Sequence, residues 1–355
     1  MSGTSADGVD LVLAELSGRP PALRHELLEH SHRSFPAGLQ TRIRLAQQNR
    51  ETTTRELAVL HHDLGRFYAE AAAPFRGRAE LAALAGQTVW HEPPQVTWQL
   101  GEPSWLAEAL AAPVVHDFRP ADLALGGQAA PLVPYPDLLL YGEEGVRRSI
   151  HNIGGISNLT YLPGLDPAGV VAFDTGPGNC LIDEAAALMG EPYDPDGAIA
   201  ASGRVDGELV ELWFNHAYLR QPPPKSTGRE VWKLDRLAFA DRLRGADLVA
   251  TVTAFTVRTI VAAYRDFVLP LGLDEVWVAG GGVKNRTLMA GLRAGLPVPV
   301  RGFDELGMDP LAREALAFAV LGYLRYLGLP NVLPHTTGAR KAALAGRVTL
   351  PAGWA

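Results

Sequence analysis

The sequence predicts a mixed α/β chain made of two related halves. Three observations carry this. Strand-like apolar alternation precedes helix-like periodicity twice along the chain, Gly-rich turns stand at strand ends in both halves, and 355 residues exceed one ordinary core while suiting two domains. Hydrophobic residues make up 47% and charged residues 20%, a balance able to fill a substantial interior. The formal charge of -7 leaves no basic surplus for nucleic-acid phosphates or anionic lipid, so neither is expected as a partner. The start, MSGTSADGVD, carries an acid where a signal peptide needs a basic segment and an apolar run, and no later stretch reads as a membrane span. A cytoplasmic protein acting on small molecules is the expectation. The single cysteine, Cys180, excludes an internal disulfide and a zinc site of paired thiolates.

Alternation predicts strands over Val9 to Leu16 and Leu23 to Ser34. Leu57, Leu60, Leu64, Phe67 and Ala71 then share one helical face, and Thr53 and Glu56 have capping-box spacing at its start. Pro113 to Asp117 reads as a short strand, followed by an irregular loop from Phe118 to Asp137 in which the domain switch is expected. The first domain is accordingly expected at 1–120 plus about 320–355, and the second at 121–319. The second half restarts with strands at Arg148 to Ile153, Asn158 to Leu162 and Val170 to Phe173, then a helix over Asn179 to Met189. Leu248, Val252, Phe255, Thr259 and Tyr264 keep a helical stripe that ends before Pro270. Val276 to Ala279 reads as a buried strand running into three glycines, and Pro310 to Leu327 as a closing helix.

Three Gly-rich turns could hold phosphate, because such turns expose backbone N–H groups pointing one way. The first is Gly3-Thr4-Ser5-Ala6-Asp7-Gly8. A carboxylate beside an anion makes sense at Asp7 if it faces a divalent metal through water. The second, Asp174-Thr175-Gly176-Pro177-Gly178-Asn179, follows an apolar strand and precedes a helix, which puts a carboxylate at a strand end. The third is Ala279-Gly280-Gly281-Gly282, where backbone can pass close to a flat ligand such as an adenosine. Each also has a plain reading as a hairpin turn, a helix cap or a packing glycine. No GxxxxGK[ST], no GxGxxG after a strand and no GxSxG elbow is present. His25 and His30, five apart, cannot share a metal on a helix and read as part of a polar surface strand. His61 and His62 read as surface groups, and Cys180 as a small packed side chain.

Together these segments resemble the anhydro-N-acetylmuramic acid kinases, within the sugar kinase, actin and heat-shock chaperone superfamily. The resemblance runs through MSGTSADGVD (1–10), GQTVWHEP (86–93), DFR (117–119), ALGGQAAPLVP (124–134) and NIGGISNL (152–159). It continues through FDTGPGNCLID (173–183), PKSTGRE (224–230), AGGGVKN (279–285), EALAFA (314–319) and TTGA (336–339). It implies an α/β fold of two ribonuclease-H-like (actin-like ATPase) domains around a nucleotide cleft, a homodimer, and use of ATP and Mg²⁺. The implied reaction opens the internal bond of 1,6-anhydro-N-acetylmuramic acid and phosphorylates the freed O6, in recycling of cell-wall peptidoglycan.

By the same resemblance Asp174 is the base that takes a proton from the attacking water. ATP would be held by Gly3, Thr4, Ser5, Ala6, Asp7, Gly8, Val9 and Asp10, with Gly176, Gly178, Asn179, Gly280, Gly281, Gly282 and Asn285. Gln87, Thr88, Arg119 and Glu314 match sugar-side positions, and Lys225, Ser226 and Thr227 are expected near the nucleotide. Ala85, Pro120 and Ala121 depart from the family's pattern, so altered sugar recognition is one alternative; a kinase for another sugar or polyol, or a nucleotide switch without catalysis, are the others. The family also has a strand directly before its first Gly-Thr-Ser turn. Here Met1 stands there, so either a start assigned too late or a sheet lacking its central strand is expected. The first is favoured, because a gap inside a sheet leaves backbone groups unpaired.

Overall fold

Strand order in a computed structural model, which describes residues 1–3, 6–50 and 52–354, fixes the fold class. By its contacts the chain divides into two units, Met1–Tyr141 with Ala312–Ala355, and Gly142–Leu311. The boundaries differ from those expected at 120 and 319. The supposed loop after Phe118 contains two helices, Arg119–Ala124 and Pro134–Tyr141, each starting on a proline or with one next to its start, where a missing N–H costs nothing. Both are tied to the first unit: Thr337 Oγ1 donates to Asp122 Oδ1 at 2.7 Å, and Arg313 Nε to Asp137 Oδ1 at 3.1 Å.

The second unit holds β7 (Arg148–Ile153), β8 (Ile156–Leu162), β9 (Val171–Pro177), β10 (Glu275–Ala279) and β11 (Val300–Gly302), in the order β11-β10-β7-β8-β9. β7, β8 and β9 form an antiparallel meander; β10 runs parallel to β7, and β11 parallel to β10. This is the ribonuclease-H-like order that the resemblance implies. β7, β9 and β10 therefore end at one edge of the sheet, where ligands of parallel sheets bind. Helix Gly245–Ala263 packs on the sheet through the expected stripe, with Leu248, Val252 and Phe255 buried. Continued through Leu271 it is long and apolar enough to cross a membrane, which the sequence reading overlooked; two thirds of its most apolar window is buried, as for a core helix.

In the first unit β1 (Gly8–Ser17) pairs with β2 (Arg24–Ser34), β3 (Ala82–Leu84) lies parallel to β6 (Val114–His116), and β12 (Arg347–Thr349) closes that sheet. β4 (Gln87–Glu92) and β5 (Val96–Leu100) form a separate hairpin. Helix Thr54–Ala72 starts on the expected capping box, Thr53 with Glu56.

Two half-sheets, β2-β1 and β3-β6-β12, replace one. A cavity of about 1050 Å³ is lined along its length by Val9–Ser17 of β1 and by Gly77–Leu84, which includes β3. Neither β1 nor β3 has a second partner strand among the described residues. Met1 is among the residues lining this cavity; its amino group donates to Asp10 O at 2.6 Å, and burial pushes its pKa down to about 6. A chain extended before Met1 by about six residues alternating apolar and polar is expected to fill this slot, since one added strand needs only the usual spacing of about 4.8 Å to each neighbour. Its Tm should rise by at least several degrees, given about 2–4 °C per kcal/mol for a unit of this size. A calorimetric scan with unchanged Tm would rule the slot out as a strand position.

Candidate active site

Two groups of side chains stand where the sequence placed chemistry, one in each unit. In the first unit the opening turn is held from below. Gln87, fully buried, donates to Gly3 O at 3.1 Å and accepts from the Ser2 hydroxyl; Gln40 donates to Ala6 O at 2.8 Å; and Phe35 N donates to Asp7 O at 3.0 Å. Thr4 and Ser5 lie outside the described residues. Ala6 sits at φ 53°, a left-handed backbone that brings the Asp7 side chain out to the surface. Gly8 and Val9 are buried as β1 begins. Asp10 turns its carboxylate to His32 at 2.9 Å, so it is engaged by a histidine of β2.

Glu314 is half-buried, and burial is the largest influence on its pKa, pushing it up; the charges of Arg313, Arg119 and the Met1 amino group pull the other way. Arg119 and Glu314 are thus electrostatic neighbours beside the opening turn. Arg119 is aimed by a relay the sequence reading did not resolve. Thr337 of the TTGA segment donates to Asp122, Asp122 Oδ2 accepts from Ala129 N at 2.8 Å, and Ala129 O accepts from Arg119 Nη1 at 2.5 Å. Thr88 lies next to Gln87 on β4, with its hydroxyl accepting from Gln99 at 3.3 Å. His61, read as a surface group, instead bridges Glu102 at 3.2 Å and Gly101 N at 3.0 Å.

In the second unit Asp174 sits on β9 next to a bulge in its pairing with β8. Its three polar groups are all engaged. Oδ2 accepts from Thr227 N at 2.8 Å, its backbone N–H donates to Lys225 O at 3.1 Å, and its carbonyl accepts from the Tyr218 hydroxyl at 2.7 Å. Burial raises the Asp174 pKa to about 7 against the lowering effects of the Thr227 N–H and the Lys225 charge. A carboxylate with this pKa can hold or release a proton near neutrality.

The second and third Gly-rich turns adjoin β7 and the β7–β8 turn, Gly154 and Gly155. N–H groups of Gly178, Asn179 and Cys180 donate to the carbonyls of Gly155, Gly154 and Gly155, at 3.0, 2.8 and 3.1 Å. Gly178 and Asn179 belong to a turn expected to hold phosphate, and here their N–H groups bond to the neighbouring turn. Gly280 is at φ 83°, with a Cβ there meeting Ile153 O and Asn152 at 2.8 Å; at Gly281 it would meet only Asn179 Nδ2 at 3.8 Å, leaving that glycine open to a ligand. Asn285 caps helix Arg286–Gly295 through Leu288 N at 2.9 Å. Asp183, which the sequence reading quoted but gave no role, has its pKa raised by burial to about 6, with Arg229 pulling it down. Cys180 is buried as expected.

The family described as anhydro-N-acetylmuramic acid kinase matches residues 1–351. The chain belongs to that family. A relative from Gloeobacter violaceus, named anhydro-N-acetylmuramic acid kinase, is 43% identical over 372 residues, covering 99% of this chain and 98% of its own. Relatives of the same name from Prochlorococcus marinus (strain MIT 9303) and Salinibacter ruber are 43% and 41% identical, covering 98% and 99% of this chain and 97% and 95% of theirs. Membership makes the chain a phosphotransferase, in which catalysis rests on positioning and charge compensation.

Proposed function

We propose that this chain uses ATP to open 1,6-anhydro-N-acetylmuramic acid and phosphorylate its O6, giving N-acetylmuramic acid 6-phosphate and ADP in peptidoglycan recycling. The observation that carries the mechanism is Asp174, its carboxylate held by the Thr227 N–H and its backbone by Lys225 and Tyr218, on a strand next to Gly-rich turns and with a pKa near 7. In that mechanism Asp174 takes a proton from water as the water oxygen bonds to the anomeric carbon. The bond from that carbon to O6 breaks, O6 bonds to the γ-phosphorus, and the bond from that phosphorus to the ADP oxygen breaks. Arg119 and Glu314 hold the sugar, one offering donors and the other an acceptor. Gln87 and Thr88 support the same binding.

Mg²⁺ neutralises phosphate charge when bound. Mg²⁺ keeps most of its water and takes one or two carboxylates. Asp7 is the residue proposed to face it, through water. A cytoplasmic homodimer completes the proposal, and the acidic balance supports the further reading that it takes no nucleic-acid or membrane partner.

The experiment is to supply ATP, Mg²⁺ and the anhydrosugar in ¹⁸O water. Mass spectrometry should find ADP and a 6-phosphosugar with ¹⁸O on the anomeric carbon. Label in inorganic phosphate instead would mean simple ATP hydrolysis and end the proposal. Because the base must be deprotonated, kcat should fall tenfold per pH unit below a limb at about 7 and level off above it. A profile flat from pH 5 to 8, within about twofold, would remove Asp174 from the role.

A further inference from the structure

Lys225 is an ammonium buried with only 8% of its surface exposed and, among the described residues, with no carboxylate in hydrogen-bonding contact. Its Nζ donates to two carbonyls, Tyr218 O and Leu219 O, each at 3.3 Å. Three rings close round it: Tyr218 at 4.9 Å, Phe267 at 5.0 Å and Phe173 at 5.7 Å from the ring centres. A desolvated cation is attracted to the faces of aromatic rings, whereas stripping an ammonium of its water is costly. So costly a placement calls for a return.

The return lies in what Lys225 carries. Its own carbonyl accepts the Asp174 N–H, and two residues on, Thr227 N donates to Asp174 Oδ2. Thr227 is held from its far side by Trp232 Nε1, which donates to Thr227 Oγ1 at 3.0 Å. Phe173, one wall of the cage, precedes Asp174 on β9, and Tyr218, another wall, donates to the Asp174 carbonyl. The cage and the carboxylate therefore share their backbone.

We infer that Lys225 is a positioning residue for Asp174: its caged ammonium pins segment 224–227 so that the Thr227 N–H occupies Oδ2 and leaves Oδ1 to meet the water. This rests on the reading of Asp174 as the base. Among the described residues the charged groups that act on Asp174 and Lys225 are each other and, on the helix end that carries Phe267, Asp266. Burial holds the Lys225 pKa down at about 8, so the cation persists at neutrality and lowers the Asp174 pKa. Removing it raises that pKa further.

Lys225→Met fills the cage without charge. It should lower kcat about tenfold at pH 7, leave both KM values within about twofold, and move the acid limb up by about half a unit or more. Hydrogen exchange in the peptide over 224–230 should speed up about tenfold as the Thr227 N–H is released. A merely structural lysine would lower Tm and move neither the limb nor that exchange rate, and this outcome overturns the inference. Should Lys225→Met not fold, Lys225→Gln keeps a donor for the two carbonyls and drops the charge; it should shift the limb the same way, and an unmoved limb overturns the inference equally. Asp174→Asn, run alongside, separates the two readings. If it keeps full kcat the base assignment fails, while exchange at 224–230 in the Lys225 variants still decides the positioning.

Discussion

Asp174→Asn is expected to bind ATP as the parent does and to turn over about 10²–10⁴-fold more slowly, the usual worth of a positioned general base. The amide keeps the shape of the carboxylate, and its oxygen can still accept from Thr227 N, so the local geometry survives. What it loses is the lone pair that receives the proton. Stability adds a second readout. The Asp174 pKa rises from 3.8 to about 7 on folding, so the fold disfavours its ionised form. A group raised in this way contributes stability below its unfolded value, and that stability is lost as pH climbs through the folded value. The parent should therefore lose Tm between about pH 4 and 7 relative to Asp174→Asn, with the gap widest above 7. Single-turnover kinetics and scanning calorimetry at pH 5 and 8 measure both. Wild-type turnover in the variant would free Asp174 of the base role; equal Tm differences at the two pH values would mean its carboxylate is not buried at cost.

Strands β7, β8, β9 and β10 of the second half were legible because they alternate or run apolar between clear breaks; the three-residue β11, Val300–Gly302, is too short to show a pattern and was not. Helix Thr54–Ala72 was legible as well, since stripe and capping box agree. The stretch from Phe118 to Asp137 was not legible. Pro120, Pro131, Pro134 and Pro136 read as loop, whereas Pro120, Pro134 and Pro136 stand in the first turn of a helix, where a fixed φ and an absent N–H are suited. What assigns these helices to the first unit is long-range: Asp122 finds Thr337 across 215 residues of sequence, and Asp137 finds Arg313 across 176. At the candidate site the letters marked Asp174 and the glycines, but a Gly-rich turn has the same letters whether its N–H groups await a phosphate or, as at 178–180, bond to a neighbouring turn. The cage of Lys225 was hidden for a related reason. Its walls come from β9, from Tyr218 and from Phe267, and no spacing rule links those positions.

Arg313→Met is expected to destabilise the first unit by about 3–5 kcal/mol, the cost of leaving a buried charge without its partner. Arg313 is 3% exposed and Asp137 not at all, and the guanidinium meets both carboxylate oxygens, through Nε at 3.1 Å and through Nη2. Methionine matches the length of the arginine stem, so packing changes little and the electrostatic loss stands nearly alone. A double variant, Arg313→Met with Asp137→Leu, removes both charges and should recover most of the loss, since apolar replacements of similar volume are often neutral or better. Denaturant titrations of the four proteins give the coupling. A single variant within about 1 kcal/mol of the parent would mean that water reaches the pair and screens it. The pair also bears on the chemistry. Arg313 and Glu314 are adjacent in the first turn of helix Ala312–Tyr326, and Asp137 anchors that turn from helix Pro134–Tyr141. The double variant should therefore fold but show a raised KM for the sugar with kcat less affected, because Glu314 then sits on a turn fixed by packing alone.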